Sequence, residues 1–373
     1  MNKQINSPLF HSPKERDEVF MARCIELAKK GYGKVSPNPL VGSVIVRNGK
    51  IISEGYHEKF GGFHGERNAI NNALRKNQKL KGASLYVNLE PCIHYGKTPP
   101  CAIAIAEHKI KRVIIGTLDP NPLVAGKGIS YLKKHNIEVT SGVLDDECRE
   151  LNKFFFKFIK NGIPWVTLKA AQTLDGKIAD KEYHSKWISS LESRKLVHLW
   201  RTQYDALLVG NNTMMHDNPS LTARYALGRN PYRIVIANKF DTTAKYELFC
   251  DKNTNKTIVI TSENPDKKTI SFFEKKRIRV ISAKKKNGVI DLKDALKKLG
   301  RFGIASVLVE GGAYTFSEFL NQKTVDEMCV FTAPMIMGDG IETFKNISYR
   351  KFVNAKSISC GKIGTDILTK IIF

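Results

Sequence analysis

His64-Gly65-Glu66, Pro91-Cys92 and, nine positions after Cys92, Cys101 carry the reading of this chain. One imidazole and two thiols make three soft-to-borderline donors. That set suits Zn2+ and leaves the fourth tetrahedral position open to water. An acid two positions after the histidine, Glu66, is placed to move protons on and off such a water. A lone His-x-Glu triplet turns up on ordinary solvated helices; joined to a Pro-Cys and a second cysteine it becomes specific. Buried thiols without metal and a purely structural zinc are the alternatives. Three protein ligands with a glutamate alongside argue against the second.

The surrounding pattern places these donors at element ends. Residues 84–89 are a β-rich run that stops at Glu90-Pro91-Cys92, and Cys101 opens an apolar helix over 102–107. Backbone N–H groups at a helix start favour thiolate over thiol. Residues 15–30 have helical spacing, with Val19, Met21, Ala22, Ile25, Leu27 and Ala28 ahead of Gly31, and residues 64–76 also read as a helix. Runs at 41–46 and 51–52 flank Asn48-Gly49, a pair suited to the positive φ angles of a type I′ hairpin. A strand follows at 112–116, the sheet continues to about Val143, and residues 145–160 are predicted to be one linking helix. The breaker cluster Asn161-Gly162-Ile163-Pro164 then divides the chain: a first domain over 1–150, a linker over 151–163 and a second domain over 164–373.

The second half restarts with a strand at 165–170. Ser189-Ser190-Leu191-Glu192 reads as a capping box for a helix running to about Thr202. Strands are predicted at 206–210, 233–237, 257–261 and 306–310. Gly311-Gly312 leads into a helix through Leu320. Strand, glycine pair and helix start together make a phosphate cradle, with a tight turn as the alternative. Neither an internal repeat nor a low-complexity segment is present.

A length of 373 residues exceeds one ordinary domain and suits two. The net charge of +24 would ordinarily raise nucleic-acid binding. Its lysines, however, are spread along the whole chain among abundant Asn and Ile, without an RNA-binding motif. The expectation is therefore solvated faces, no nucleic-acid partner and compatibility with a phosphorylated small substrate. No stretch spans a bilayer: Phe154-Phe155-Phe156 is followed at once by Lys157. Residues 1–17 are polar and lack the apolar core of a signal peptide. Seven scattered cysteines fit a reducing cytoplasm. Homo-oligomer formation is left open.

The His-x-Glu … Pro-Cys … Cys arrangement is that of zinc-dependent nucleobase deaminases, in which the glutamate shuttles protons and is not a ligand. Over nearly its whole length the chain resembles the bifunctional deaminase–reductases of riboflavin biosynthesis. The first half matches at Pro37-Asn38-Pro39, Gly55-Tyr56-His57, His64-Gly65-Glu66, the run from Glu90-Pro91-Cys92 through His94 and Lys97 to Cys101, and Asp119-Pro120-Asn121-Pro122. The second matches at Lys169, Leu174-Asp175-Gly176, Ser185, Trp187, Ser189, Asp205-Ala206, Thr213, Asp217, Asn218-Pro219-Ser220-Leu221-Thr222-Ala223-Arg224 and Glu310-Gly311-Gly312. The eight residues between Cys92 and Cys101 match this family rather than the shorter spacing of tRNA and cytidine deaminases.

The resemblance implies an α/β fold: a cytidine-deaminase-like αβα domain followed by a dihydrofolate-reductase-like α/β domain. It implies a phosphorylated pyrimidine substrate, 2,5-diamino-6-(5-phosphoribosylamino)pyrimidin-4(3H)-one. Water replaces the ring 2-amino group, and NADPH then reduces the ribosyl group to ribityl. His64, Cys92 and Cys101 would hold Zn2+ with Glu66 as proton shuttle. Asn38 is assigned to substrate hydrogen bonding, a plain Pro-Asn-Pro turn being the alternative; His57 and His94 stay outside the ligand set. Ala171, Trp187, Thr213, Asp217 and Gly312 are assigned to the cofactor, with plain core as the alternative for Trp187. Ser185, Arg201, Leu221, Arg224 and Glu310 are assigned to substrate, arginine's planar fork suiting a phosphate ester. Lys169 and Glu310 form the polar pair expected around the reacting sugar. Two departures stand out: Gly65 where the family usually has alanine, and Ser43 where it often has cysteine, the second taken as neutral. Two other readings share the zinc motif. A nucleic-acid deaminase would leave the second half without a task, and a zinc-stabilised binding module would hold metal without turnover.

Overall fold

The computed structural model describes residues 12–96, 98–241, 243, 245–347 and 354–373. Lys97, quoted above, and most of the polar 1–17 segment lie outside them. Two compact units are present, Met1–Asn161 and Gly162–Phe373.

The first unit runs α1 (Pro13–Lys29), β1 (Gly42–Arg47), β2 (Lys50–Tyr56), α2 (Gly65–Arg75), β3 (Ser84–Leu89) and α3 (Cys101–Glu107). It continues through β4 (Arg112–Thr117), α4 (Lys127–Lys134), β5 (Glu138–Ser141), α5 (Asp145–Leu151) and α6 (Lys153–Asn161). The sheet order is β2-β1-β3-β4-β5, with β1 antiparallel to both neighbours and β3, β4 and β5 parallel. Alternate residues of each strand face opposite layers. On one side Val44, Tyr86 and Ile114 pack with Phe20, Met21 and Cys24 of α1 and with Cys148 of α5. On the other, Ile45, Leu85, Val87 and Val113 meet Ala69 and Ile70 of α2, Ile105 of α3, Leu132 of α4 and Phe155 of α6. Each such fully buried aliphatic chain contributes roughly 1.5–3 kcal/mol. Ser12 caps α1 by accepting from the Glu15 N–H at 3.1 Å. The hairpin forms at Asn48 and Gly49, whose φ angles are +49° and +73°.

The expected single helix over 145–160 is two. Asn152 interrupts it, because its buried side-chain amide is used elsewhere: Oδ1 accepts from Leu40 N at 2.8 Å and Nδ2 donates to Leu40 O at 3.0 Å. The expected linker over 151–163 is also corrected for its greater part. Leu151 and Phe155 are buried in the two cores of the first unit, so residues 151–161 belong to it.

The second unit opens with β6 (Trp165–Thr173), β7 (Lys177–Ala179), α7 (Leu191–Gln203), β8 (Ala206–Gly210), α8 (Asn211–Asp217) and β9 (Tyr232–Ile236). Next come α9 (Glu247–Cys250), β10 (Thr257–Ser262), α10 (Lys267–Lys275), β11 (Arg279–Ala283), β12 (Lys285–Lys286) and β13 (Val289–Ile290). It closes with α11 (Leu292–Arg301), β14 (Ser306–Val309), α12 (Ala313–Asn321), β15 (Glu327–Ala333), β16 (Ile341–Glu342), β17 (Ser357–Ile363) and β18 (Asp366–Ile372). Nine strands form one sheet in the order β11-β10-β9-β8-β14-β6-β15-β18-β17, parallel from β11 to β15 and antiparallel at the β15-β18-β17 end. Central strands such as β8 and β14 are buried along their length, as parallel strands covered on both faces require. The cap of α7 is Ser190, which accepts from Ser193 N, one residue later than the predicted box starting at Ser189. Among the described residues no helix is long and apolar enough to cross a membrane.

Candidate active sites

In the first unit His64 is the residue before α2, in extended conformation, and Cys101 is the first residue of α3. Cys92 follows the end of β3. Its sulfur accepts from the Cys101 N–H at 3.4 Å, so the start of α3 supplies a backbone donor to the thiolate. His64 Nδ1 stands 3.6 Å from the Sγ atoms of both cysteines, and the three donor atoms lie within 4.8 Å of one another. The Cys92 thiol is drawn down to about 4 by the hydrogen bond with Cys101 and then by His64, while the same bond and burial hold Cys101 up. A cation held by both sulfurs would displace their thiol protons.

Glu66 lies beside this cluster, only 2% exposed, and its Oε2 has no hydrogen-bond partner. Burial raises its carboxyl to about 7, partly opposed by His64. A buried carboxylate oxygen without a partner, next to three converging soft donors, fits a metal and its bound water. Helix α2 approaches β1 closely at Gly65: a Cβ there would stand 2.9 Å from the Val41 carbonyl oxygen. That carbonyl accepts from the His57 N–H at 2.7 Å.

His57 is buried and kept neutral, its ring pushed down to about 4 by burial. Its Nδ1 donates to Phe63 O at 2.9 Å, which leaves Nε2 as an acceptor facing Asn38 Nδ2 at 3.4 Å. The Asn38 amide is thereby turned so that its Oδ1 is not used by His57. Two further residues, quoted in motifs but given no role from sequence, join the site. Asp119 is buried, raised to about 6 by burial with Glu90 and Cys92 adding to it, and its Oδ1 accepts from Asn121 N at 2.8 Å. Glu90 accepts from Gly126 N at 3.0 Å, Ile129 N at 3.3 Å and Asp119 N at 3.4 Å, tying the loop after β4 and the start of α4 to the end of β3. Nothing in residue spacing announces these long-range bonds; only the Glu-Pro-Cys and Asp-Pro-Asn motifs flagged the positions.

In the second unit a cavity of about 1050 Å³ opens over the ends of β6, β8 and β14. Lys169 and Ala171 on β6, Ser185 and Trp187 before α7, and Arg201 on α7 line it. So do Thr213 and Asp217 on α8, Arg224 in the loop that follows, and Glu310 and Gly312 after β14. Trp187 is 64% exposed, which removes the plain-core alternative, and the Arg194 guanidinium lies 4.4 Å from its ring centroid. Leu221 is the exception: its side chain is buried, and its φ of +49° turns the loop instead. The Gly312 N–H donates to Thr213 Oγ1 at 3.0 Å, so one amide of the expected cradle is occupied. Gly311 is required by packing, since a Cβ would stand 2.8 Å from Thr315 Cβ.

The two arginines behave differently. Arg201 forms a fork-to-fork pair with Glu310, Nε to Oε1 at 2.8 Å and Nη2 to Oε2 at 2.7 Å, and its Nη1 donates to Thr222 O at 3.0 Å. Every nitrogen of that guanidinium is engaged. Burial would push Glu310 up, but Arg201 and then Lys169 hold it below its ordinary value. Burial lowers the Lys169 ammonium, with Glu310 opposing. Arg224, exposed at the cavity, has no acidic partner among the described residues.

Comparison with known proteins matches both units. Residues 14–117 fit the family model for the cytidine and deoxycytidylate deaminase zinc-binding region, and residues 164–369 fit that for the RibD C-terminal domain. The riboflavin biosynthesis protein RibD of Aquifex aeolicus is 44% identical over 331 residues, 88% of this chain and 90% of that one. RibD of Actinobacillus pleuropneumoniae is 41% identical, with 94% of each chain covered. Among solved structures, the Thermotoga maritima diaminohydroxyphosphoribosylaminopyrimidine deaminase/5-amino-6-(5-phosphoribosylamino)uracil reductase superposes with a TM-score of 0.85 at 40% identity, covering 97% of this chain and 99% of that one. Acinetobacter baumannii RibD gives a TM-score of 0.82 at 32% identity, covering 97% and 99%.

Proposed function

The chain belongs to the RibD family of bifunctional riboflavin biosynthesis enzymes, and from that premise we propose which substrate, cofactors and residues its two units use. The enzyme is a hydrolase in its deaminase unit and an oxidoreductase in its reductase unit. The deaminase substrate is 2,5-diamino-6-(5-phosphoribosylamino)pyrimidin-4(3H)-one, and the reductase takes the resulting 5-amino-6-(5-phosphoribosylamino)uracil. The single observation that carries the deaminase assignment is the convergence of His64, Cys92 and Cys101 beside the unpartnered Glu66 Oε2.

Those three side chains hold Zn2+, which supplies Lewis-acid activation of a water when bound. Glu66, buried and near neutral in its proton affinity, takes the proton from the attacking water and returns it to the leaving ammonia. Asn38, turned by His57, offers its amide oxygen to the pyrimidine. Asp119, held by Glu90 and Asn121, adds a second carboxyl near Cys92 and His64.

In the reductase unit NADPH supplies the hydride when bound. Ala171, Trp187, Thr213, Asp217 and Gly312 form its side of the cavity. Lys169, with Glu310 beside it, is the charged group at the reacting sugar, and Ser185 lines the same wall. Arg224 meets the phosphate with a free guanidinium, whereas Arg201 fixes Glu310 and the loop. Leu221 contributes through the turn it makes. The seven cysteines are all free, which suits a cytoplasmic enzyme, and the partners are small molecules.

Purified protein with Zn2+, the diaminopyrimidine and NADPH should release one ammonia and oxidise one NADPH per substrate. Ammonia without NADPH oxidation would remove the reductase reading, and NADPH oxidation only on pre-deaminated substrate would remove the deaminase one.

A further inference from the structure

The loop 220–224 presents Arg224 to the reductase cavity, yet it is not part of any helix or strand. Its backbone is held by side chains from elsewhere. Arg233 Nη1 donates to Ser220 O at 3.2 Å, Arg201 Nη1 to Thr222 O at 3.0 Å, and Ala223 N donates to Asn230 Oδ1 at 3.0 Å. The last hold is on Arg224 itself, whose N–H donates to His198 Nδ1 at 2.9 Å.

His198 sits on α7 three residues before Arg201, so the two share one face of that helix. It is 6% exposed, lines the cavity, and stacks edge-on against Tyr225 with centroids 4.7 Å apart. A backbone amide can only donate. Nδ1 must therefore be the bare nitrogen, and the ring proton is on Nε2. The charges around it keep it neutral. Burial pushes the ring down to about 4, and Arg201 on α7, Arg224 in the loop and Lys169 on β6 push the same way, with Glu310 after β14 opposing.

We propose that His198 is a positioning residue of the reductase site: its Nδ1 fixes the Arg224 backbone and so sets where the Arg224 guanidinium stands toward the phosphorylated substrate. This rests on the reading that Arg224 meets the phosphate. No sequence motif marks His198.

The roles of the two ring nitrogens separate by substitution in the full-length protein. In His198→Asn the side-chain oxygen reaches the place of Nδ1; in His198→Gln the amide reaches that of Nε2; His198→Phe keeps the packing against Tyr225 and has no acceptor. His198→Asn should keep the reductase KM for the phosphorylated intermediate within about 3-fold of wild type. His198→Gln and His198→Phe should raise it roughly tenfold or more, because the part-buried Arg224 amide loses its partner and the loop its hold. The KM for NADPH, the reductase kcat and the deaminase rate should stay within about 2-fold in all three. Equal KM values for the Asn and Gln variants, or a Phe variant better than Asn, would overturn the inference. NADPH binding and thermal melts establish that each variant is folded, and the Asn–Gln pair decides the matter if Phe is not. Arg224→Lys without effect on that KM removes the phosphate reading. A raised KM in Arg224→Lys with a flat His198 series removes only the role given to His198.

Discussion

The deaminase and reductase sites are built in opposite ways. The first gathers its chemistry from three short motifs at element ends, His64 to Glu66, Cys92 and Cys101, whose donor atoms converge to within 4.8 Å. The second draws on β6, α7, α8, the 218–224 loop and the residues after β14, with charged groups that mainly hold one another. A metal concentrates function into a few ligands, because three side chains and one acid suffice once the ion is bound. A large cofactor and a sugar phosphate need a wide surface, so positioning is shared and single residues carry less.

That contrast can be broken most severely at Glu66. Glu66→Gln should keep the metal while ammonia release falls about 10²–10⁴-fold, with NADPH oxidation on pre-deaminated substrate unchanged. Near-normal deamination would mean the concentrated site is misassigned. Cys101→Ser should lose most of its bound zinc by elemental analysis, and a chelator should silence the deaminase of the wild-type protein while sparing the reductase. Purified protein that deaminates without metal would erase the distinction between the sites.

In the reductase the largest effect should come from a residue that holds another. Arg201→Leu leaves the Glu310 carboxylate buried without its partner, an outcome that costs about 3–5 kcal/mol. The reductase unit should melt earlier and its activity should fall at least as steeply as its stability, with deamination retained. A normal melt with only a raised KM would instead make Arg201 a plain phosphate ligand. Arg224→Lys should be milder. It should raise the KM for the phosphorylated intermediate about 10–100-fold, the loss of a charge-assisted fork worth roughly 1.5–3 kcal/mol. A dephosphorylated substrate should be almost indifferent to the change.

The smallest effect sharpens the deaminase side. Alanine at position 65 would gain roughly 1 kcal/mol of helix propensity. Its Cβ, however, would press on the Val41 carbonyl that accepts from His57 N. Gly65→Ala should therefore lower the melting temperature by a few degrees at most and deamination a few-fold. A clear gain in both would show that α2 can move off β1 without disturbing the site.

The grouping of His64, Cys92 and Cys101, the Asn48-Gly49 hairpin and the strand at Ser84–Leu89 are legible in the chain alone, since each rests on residue type in a recognisable local pattern. So is Cys101 as the start of a helix. The break at Asn152 is invisible in the local pattern because its cause, both bonds to Leu40, lies 112 positions away. No prediction from sequence covers β15, β17 and β18. Their pairing with β6 and with each other places them in the sheet.

What the sequence by itself determined is the set of reactive side chains: one histidine and two cysteines that converge, an acid beside them, and a second half whose motifs match a reductase. Only the tertiary structure decided how the other side chains divide their work. Arg201 and Arg224 are the same residue type in the same basic chain, and no spacing rule separates them. The fold puts Glu310 and Thr222 against one and leaves the other free at the cavity, because hydrogen-bond partners are chosen by proximity in space.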